Sequence, residues 1–263
     1  MMQLTVLGSG TCELRRERSS PAYLVEAGNQ TIMLDLGQGA WRRLLQAERD
    51  PAHVTAVLIS HLHPDHLADL LPLLFALRYD PHMKAHARLA LAGHPDLQGV
   101  TQGLEAIWGH WVKPEPGNLT THWLSPGYSL QLGPVSVQTA AAGHTRANLA
   151  YRLEHQGTVL VYLGDSESTP QLVELCRQAD LIIAHCGGSD EHPKQGHLNP
   201  SAAGVLARQA EAHSLLLSHL YRDVDPQVAL AGASSQFSGQ VWLAEDLQSW
   251  QISLGGAQAG PHA

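Results

Sequence analysis

The chain has 263 residues, of which 44% are apolar and 15% are charged, and its formal net charge is −8 with histidine neutral. This balance predicts a folded globular protein and argues against a nucleic-acid binder with a broad basic surface. Its apolar runs fall short of the roughly 20 residues that a membrane-spanning helix needs, so no membrane partner is predicted. The three cysteines are far apart and form no CxxC pair, which favours a reduced, cytoplasmic setting.

The first half of the chain predicts short strands followed by a strand–helix unit. Its opening, MMQLTVLGSG, indicates a strand and a turn rather than a signal peptide. The apolar and β-branched run Val54–Ser60 predicts a buried strand, and a helix is expected from Pro64 through Leu77. Other elements predicted here are strands at Leu4–Leu7, Tyr23–Glu26 and Thr31–Leu36, a helix at Gln38–Ala47, and short helices near Ala87 and at Leu104–Trp111.

The second half alternates strands and helices, so the chain as a whole predicts an α/β fold of two packed sheets with helices outside. Residues 1–253 are predicted to form one domain, and the Gly/Ala-rich tail 254–263 is expected to be disordered. The predicted strands are Leu119–Leu124, Val135–Ala140, Leu149–Glu154, Thr158–Leu163, Leu181–Cys186, Ser214–Ser218, Val241–Glu245 and Ser249–Ile252, and the helices are Pro170–Arg177, Pro200–Glu211 and Asp225–Gln236.

Polar side chains collect at the carboxyl ends of the predicted strands, where open α/β sheets gather their ligands. The densest group is SHLHPDHL at residues 60–67, which holds three histidines and an aspartate within six positions. Because the chain has 17 histidines, this stretch alone does not decide between a metal site and a polar turn. Further strand-end residues of the same chemistry are Asp35, His144, Asp165 and His219.

Imidazole nitrogens and carboxylate oxygens are the ligands that zinc accepts in proteins. His61 and His63, two residues apart in an extended segment, point the same way, while Asp65 and His66 point to a neighbouring spot. Two adjacent ligand sets indicate two divalent ions, and a carboxylate such as Asp165 can bridge them. Zinc is the expected metal, although these ligands also suit manganese and iron.

The combined pattern resembles the signature of the metallo-β-lactamase-fold hydrolases, H-x-H-x-D-H followed by a distant His, an Asp and a last His. The resemblance covers about residues 3–253 and implies a four-layer αββα sandwich of two mixed sheets. It implies that Asp35 orients a ligand imidazole. It also implies two ligand sets bridged by Asp165, namely His61, His63 and His144 for one ion and Asp65, His66 and His219 for the other.

Within this family the chain most resembles the branch of the tRNA 3′-processing endonucleases (ribonuclease Z) and related phosphodiesterases. The segments that carry this resemblance are LGSG, RSSPAYLVE, HTRANLAYRLE, DLIIAHC, GHLNPSAAGVLARQA and LLLSHLY. His197 in GHLNP matches the extra catalytic histidine of that branch. A glutamate usually orients this histidine, but here His185 occupies its position, so the partner of His197 stays open among His185, Asp190 and Glu191.

The long basic arm with which ribonuclease Z enzymes grip tRNA has no counterpart in this sequence. Residues 79–118 are too short for it and contain only Lys84, Arg88 and Lys113 as basic residues. A small-molecule substrate is therefore favoured over tRNA. Whether residues 79–118 form a lid, and whether the chain forms a homodimer, stays open.

The resemblance predicts a hydrolase in which a hydroxide bridging two metal ions attacks a small phosphodiester or related phosphoester. Asp65 is expected to hydrogen-bond this hydroxide, and His197 to assist the leaving group or the developing oxyanion. Alternatives on the same site are a lactonase, a phosphotriesterase or a β-lactamase-like hydrolase. A tRNA 3′-processing endonuclease and a non-hydrolytic metal-binding protein of the same fold are carried as further alternatives.

Overall fold

Two β-sheets pack face to face in the structure, a computed structural model that describes residues 1–262. The eight-stranded sheet has the order β15-β14-β1-β2-β3-β4-β5-β6, and the seven-stranded sheet has the order β13-β12-β11-β10-β9-β8-β7. In chain order the strands are β1 (Met2–Gly8), β2 (Ala22–Ala27), β3 (Gln30–Leu34), β4 (Ala56–Ile59), β5 (Leu89–Gly93), β6 (Leu119–Trp123), β7 (Ser129–Leu132), β8 (Val135–Ala141), β9 (Leu149–His155), β10 (Thr158–Tyr162), β11 (Leu181–His185), β12 (Ser214–Ser218), β13 (Gln240–Leu243), β14 (Gln248–Ser253) and β15 (Gly256–His262).

Helices cover the outer face of each sheet. Each sheet mixes parallel and antiparallel pairs; β3, β4, β5 and β6 run parallel, as do β10, β11, β12 and β13. The helices are α1 (Ala40–Gln46), α2 (Pro64–Leu67), α3 (Leu70–Tyr79), α4 (Pro81–His86), α5 (Leu97–Trp108), α6 (Pro170–Leu175), α7 (Pro200–Gln209) and α8 (Pro226–Gln236), with 3₁₀ turns at Pro51–His53 and Gly109–Val112.

Three apolar layers hold these elements together. The layer between the sheets contains Tyr151 and Trp250, both fully buried. A second layer packs the first sheet against α1 and α3 through residues such as Leu44 and Leu73. A third packs the second sheet against α7 through residues such as Leu206. The predicted four-layer αββα arrangement is thereby confirmed. No helix among residues 1–262 has both the length and the apolar character needed to cross a membrane.

The helix predicted from Pro64 through Leu77 is interrupted and forms α2 and α3 instead. At the break, the backbone N–H of Asp69 donates to the carbonyl of Leu36 rather than to the preceding helical turn. The Asp69 carboxylate accepts from the backbone of Gly39 and Trp41, which ties the break to the start of α1. This tertiary anchoring overrides the local helical pattern. It leaves α2, which carries Asp65 and His66, as a separate short helix.

The prediction of a disordered tail over 254–263 is wrong for most of that segment. Residues Gly256–His262 form β15, which pairs with β14 in an antiparallel register. The strand depends on backbone hydrogen bonds, which a Gly/Ala-rich segment can make as well as any other, so side-chain pattern gave no signal for it. Ala263, the last residue of the predicted tail, lies outside the described residues.

Candidate metal centre

The carboxyl ends of five strands meet at one edge of the two sheets. Asp35 follows β3, His61 follows β4, His144 follows β8, Asp165 follows β10 and His219 follows β12. Both Asp35 and His219 have left-handed backbones, with φ of 59°. Such a conformation costs a non-glycine residue about 1–3 kcal/mol and clusters at functional sites. The two sheets therefore bring together residues that lie up to 184 positions apart, from 35 to 219.

The first group of potential ligands consists of His61, His63, His144 and Asp165, whose ligand atoms all lie within 4.8 Å of one another. The Nε2 atoms of His61 and His144 each lie 3.7 Å from Asp165 Oδ2. His63 Nδ1 lies 3.2 Å from His144 Nε2. The sequence predicts this set for one ion, and the structure brings all four members together.

The second group of potential ligands shares Asp165 with the first. His66 Nε2 is 3.5 Å from Asp165 Oδ2, and His219 Nε2 is 3.4 Å from Asp65 Oδ2. Asp65 Oδ2 is also 3.9 Å from His66 Nε2. The ligand atoms of His66, Asp165, His219 and His185 fall within 4.8 Å of one another as well, so His185 joins this group although it is not a predicted ligand.

Buried imidazole nitrogens in this region fit a divalent cation. Among the described residues, Nε2 of His61 and Nε2 of His66 are buried and have no hydrogen-bond partner. A buried polar atom left in this state costs about 1–3 kcal/mol, and a metal ion that accepts the nitrogen lone pair removes that cost. Burial and the neighbouring His66 lower the pKa of His61, and burial and His144 lower the pKa of His63. Both rings are thus neutral, the form that binds metals.

Asp165 is held as a carboxylate between the two groups. Burial opposes its charge, but His219, His66 and His185 together keep the pKa of this carboxyl well below its ordinary value. Burial also acts against the charge of Asp65, and a contact with His219 nevertheless lowers the pKa of Asp65. Both carboxylates therefore offer acceptor oxygens to a cation at neutral pH.

The second ring nitrogen of three histidines is held by a polar neighbour. Asp35 Oδ2 accepts from His66 Nδ1 at 2.7 Å, and the Ser60 hydroxyl lies 3.0 Å from His61 Nδ1. His144 Nδ1 donates to the carbonyl of Gly196 at 2.8 Å. Contacts of this kind fix the tautomer and orientation of a ligand ring. The position of Asp35 matches its predicted role, which stays a prediction.

His197 lies beside Asp165 and His144. Its Nδ1 is 3.9 Å from Asp165 Oδ2 and its ring centroid is 4.5 Å from that of His144. Burial lowers the pKa of His197 to about 4. The ring packs so closely on Gly187 that a Cβ there would lie 2.6 Å from His197 Nδ1. The loop before it is held by Glu167, which accepts from the backbone of Gly196.

The three residues considered as partners of His197 make other contacts. Asp190 accepts from the backbone and the hydroxyl of Ser201 at the start of α7, and Glu191 is exposed. His185 is fully buried and bonds to Asp165 at 2.9 Å through Nδ1. His197 Nδ1 has no hydrogen-bond partner among residues 1–262, so its orientation comes from packing.

Several residues that shape the site were missed from the sequence. Tyr162 donates to Asp35, Tyr23 contacts His185, Ser60 donates to Asp35, and Glu167 holds the loop of His197. A signal existed for the two tyrosines, since each is a phenol within a largely aliphatic and buried strand, AYLVEA or TVLVY. A buried hydroxyl needs a partner, which points to a polar site nearby.

Comparison with known proteins agrees with this geometry. Residues 23–220 match the family described as the β-lactamase superfamily domain. An uncharacterised protein of Mycobacterium bovis is 28% identical over 91% of this chain and 88% of its own length. A ribonuclease Z of Mycobacterium bovis is 25% identical over 96% of this chain and 99% of its own.

The probable metallo-hydrolase YhfI of Bacillus subtilis is 26% identical over 95% of this chain and 100% of its own length. The crystal structure of YhfI superposes with a TM-score of 0.83 over 95% of this chain and 100% of that structure. The predicted resemblance is confirmed by these matches. The chain belongs to the β-lactamase superfamily and is a metal-dependent hydrolase with the metallo-β-lactamase fold.

Proposed function

We propose that this hydrolase holds two divalent metal ions, zinc by preference, and cleaves small phosphodiesters or related phosphoesters. One observation carries the proposal: Asp165 Oδ2 lies 3.7 Å from Nε2 of His61, a member of the first group, and 3.5 Å from Nε2 of His66, a member of the second. A carboxylate shared by two histidine groups is the arrangement that a two-metal site requires. The cytoplasmic setting belongs to the same proposal, supported by three free cysteines.

The two groups divide the candidate ligands between two ions. His61, His63 and His144 with Asp165 would bind one ion, and Asp65, His66 and His219 with Asp165 the other. Bound ions would supply Lewis-acid polarisation of the substrate and lower the pKa of a coordinated water. The Asp65 carboxylate is only partly buried. It would bind one ion and would also accept a hydrogen bond from a water held by the ions.

His197 is suited to stabilise charge on the substrate through a hydrogen bond. With its pKa near 4 the ring is neutral at neutral pH, so it offers one N–H donor rather than a second positive charge. It stands beside His144 and is half-buried, where a donor acts more strongly than in water. We assign His197 the role of hydrogen-bond donor to the developing oxyanion or to the leaving oxygen.

A cation beside the site supports an anionic substrate. Lys194 Nζ lies 3.7 Å from the ring centroid of Tyr221, and the Tyr221 ring is 5.7 Å from that of His219. The amine also lies 3.6 Å from Asp223 Oδ1, at the exposed rim, so part of its charge is offset by this carboxylate. A lysine amine held on an aromatic face next to the ligands favours binding of a negatively charged group. This feature supports a phosphoester over the neutral substrate of a lactonase.

Residues 79–118 support a small substrate. They fold into α4, β5 and α5 rather than into an extended arm. Two of the basic side chains there are paired with carboxylates, Lys84 with Glu115 and Lys113 with Glu105. Little positive charge is left on this segment to hold a polyanion.

Ribonuclease Z activity is a second candidate, favoured by the full-length match to the mycobacterial ribonuclease Z. A substrate panel separates the candidates: bis-p-nitrophenyl phosphate, a lactone, paraoxon, a cephalosporin and a precursor tRNA, each assayed with the metal-loaded protein. The proposal expects the highest kcat/KM on the phosphodiester. The highest kcat/KM on precursor tRNA or on one of the other substrates would overturn it. His86→Ala, which removes an exposed histidine on α4, serves as the control that retains activity.

A further inference from the structure

A chain of hydrogen bonds runs from Asp165 into the core between the two sheets. His185, the last residue of β11, is fully buried and lies 2.9 Å from Asp165 Oδ1 through Nδ1. Its other nitrogen, Nε2, lies 2.8 Å from the Tyr23 hydroxyl. That hydroxyl lies 2.6 Å from the hydroxyl of Ser218, at the end of β12. Four side chains from both sheets are thus joined in one buried line.

The chemistry of these groups assigns the protons. An ionised carboxylate only accepts, so His185 Nδ1 donates to Asp165 Oδ1. In a neutral imidazole the other nitrogen is then an acceptor, and Tyr23 is its donor. The Tyr23 hydroxyl is also held by the Ser218 hydroxyl, 2.6 Å away, so its oxygen is fixed between His185 and Ser218. Every member of the line then has a partner, and the tautomer of His185 is set from within the core.

We propose that His185 is a positioning residue that fixes Asp165 by holding Oδ1, so that Oδ2 stays turned toward both ligand groups. The inference rests on the proposed function, because it concerns the residue that would bridge the two ions. Oδ2 is the oxygen that lies 3.5 Å from His66 Nε2 and 3.7 Å from His61 Nε2. If Oδ1 were released, rotation of the carboxylate would remove the shared oxygen from one group.

His185 acts through Asp165 and is not a ligand itself. Although its ligand atom falls among those of the second group, both of its nitrogens are already engaged. Its ring lies flat against that of His219, with centroids 4.7 Å apart and planes at 7°. This stacking leaves no freedom to turn either nitrogen toward a cation without breaking both hydrogen bonds.

Two substitutions distinguish the contacts of the two His185 nitrogens, because each variant keeps a polar group at the position of only one of them. In His185→Asn the amide nitrogen takes the position of Nδ1 and can still donate to Asp165. In His185→Gln the amide reaches the position of Nε2, which keeps the contact with Tyr23 and loses the one with Asp165. The measurement is Zn²⁺ and Co²⁺ affinity of chelator-stripped protein, by calorimetry, together with the visible spectrum of the Co²⁺ form.

The expected result is an affinity for the second ion about 10–100-fold weaker in His185→Gln, with His185→Asn within about threefold of the wild type. The Co²⁺ spectrum should change in the glutamine variant alone. Equal metal affinities in the two variants would overturn the inference about His185. If the wild type still binds two ions, the proposed function is unaffected by that result. A wild type that binds no metal would overturn the proposed function and this inference with it.

Two tyrosine variants test the same inference if the His185 variants do not fold. Tyr23→Phe removes the donor to His185, and Tyr151→Phe removes an equally buried hydroxyl that donates to the carbonyl of Ile59. We expect weaker metal binding in Tyr23→Phe and unchanged binding in Tyr151→Phe, at similar losses of stability. Equal metal affinities in the two variants would overturn the inference.

Discussion

Asp35 and His66 form a fully buried pair in which the imidazole Nδ1 lies 2.7 Å from the carboxylate. Asp35 also accepts from the backbone and hydroxyl of Ser60 and from the hydroxyl of Tyr162. The Ser60 hydroxyl in turn contacts His61 Nδ1. One aspartate at the end of β3 therefore contacts a histidine of the second group directly and a histidine of the first group through Ser60.

Replacing Asp35 with asparagine should weaken metal binding. The amide turns one acceptor into a donor that faces other donors, while asparagine still tolerates the left-handed backbone of this position. We expect metal affinity to fall about 10–100-fold and the free energy of unfolding of the metal-free protein to fall by about 1–3 kcal/mol. Calorimetry and urea unfolding measure the two effects.

Asp180→Asn is the matched control for this substitution. Asp180 is also buried, and it accepts from the backbone of Val159 and Gly255, at the opposite end of β11 from the candidate site. It should lose a similar free energy of unfolding and keep its metal affinity. An equal loss of metal affinity in both variants would show that Asp35 acts only through stability.

Gly187→Ala should impair catalysis without loss of metal. The new Cβ would lie 2.6 Å from His197 Nδ1 and displace the ring. A shift of about 1 Å in a catalytic group can cost roughly 10²-fold in rate, and we expect a drop in kcat of that order. Metal content and affinity should match the wild type, because Gly187 is outside both ligand groups.

Gly103→Ala provides the comparison. Gly103 lies in α5 with no atom within 4 Å of a Cβ, so the added methyl meets open space. Activity should be unchanged, and the protein should gain about 0.5–1 kcal/mol because alanine loses less entropy in a helix. Full activity in Gly187→Ala would argue against a catalytic role for His197.

Lys194→Ala should raise KM for phosphodiesters and leave hydrolysis of a neutral ester unchanged. The amine is held on Tyr221 beside the site and is 3.6 Å from Asp223 Oδ1, so the charge that Asp223 does not offset contributes to anion binding rather than to the chemical step. We expect KM to rise roughly fivefold, as suits a charged contact worth about 1 kcal/mol near the surface. The wild-type KM should also rise with salt, and that salt dependence should shrink in the variant.

Thiol reactivity should distinguish Cys12 from the two buried cysteines. Cys12 is exposed, whereas Cys176 and Cys186 are fully buried. Burial raises the pKa of both buried thiols well above the ordinary value, so at pH 8 they stay protonated and unreactive. Ellman's reagent should label one thiol rapidly in the native protein and three in denaturant. Rapid labelling of more than one native thiol would contradict this packing.

The cluster of His and Asp side chains could be predicted because its signals are local, whereas the role of these residues as metal ligands stays a prediction. Each lies directly after an apolar strand, and His61, His63, Asp65 and His66 stand together in one short stretch. The carboxyl ends of the strands in an α/β sheet meet at one edge, so the sequence pattern alone predicts that these side chains lie close together. The family resemblance added that a His, an Asp and a last His follow this stretch in that order, which singled out His144, Asp165 and His219.

Contacts between the sheets could not be predicted in the same way. Tyr23 and His185 lie 162 positions apart, and their contact depends on how one sheet sits on the other. The strand Leu89–Gly93 was also missed, because the residues around it are rich in His and Pro. The register between β14 and β15 is set by backbone pairing, which leaves no mark in a Gly/Ala-rich segment.

The most direct test of the two-metal site is metal content measured together with activity. Plasma emission analysis of the purified protein should find about two divalent ions per chain, as a dinuclear site requires. His63→Ala and Asp165→Ala should each bind fewer ions and lose phosphodiester hydrolysis, and chelation should remove activity that added Zn²⁺ restores. A protein that is fully active without bound metal would contradict the account.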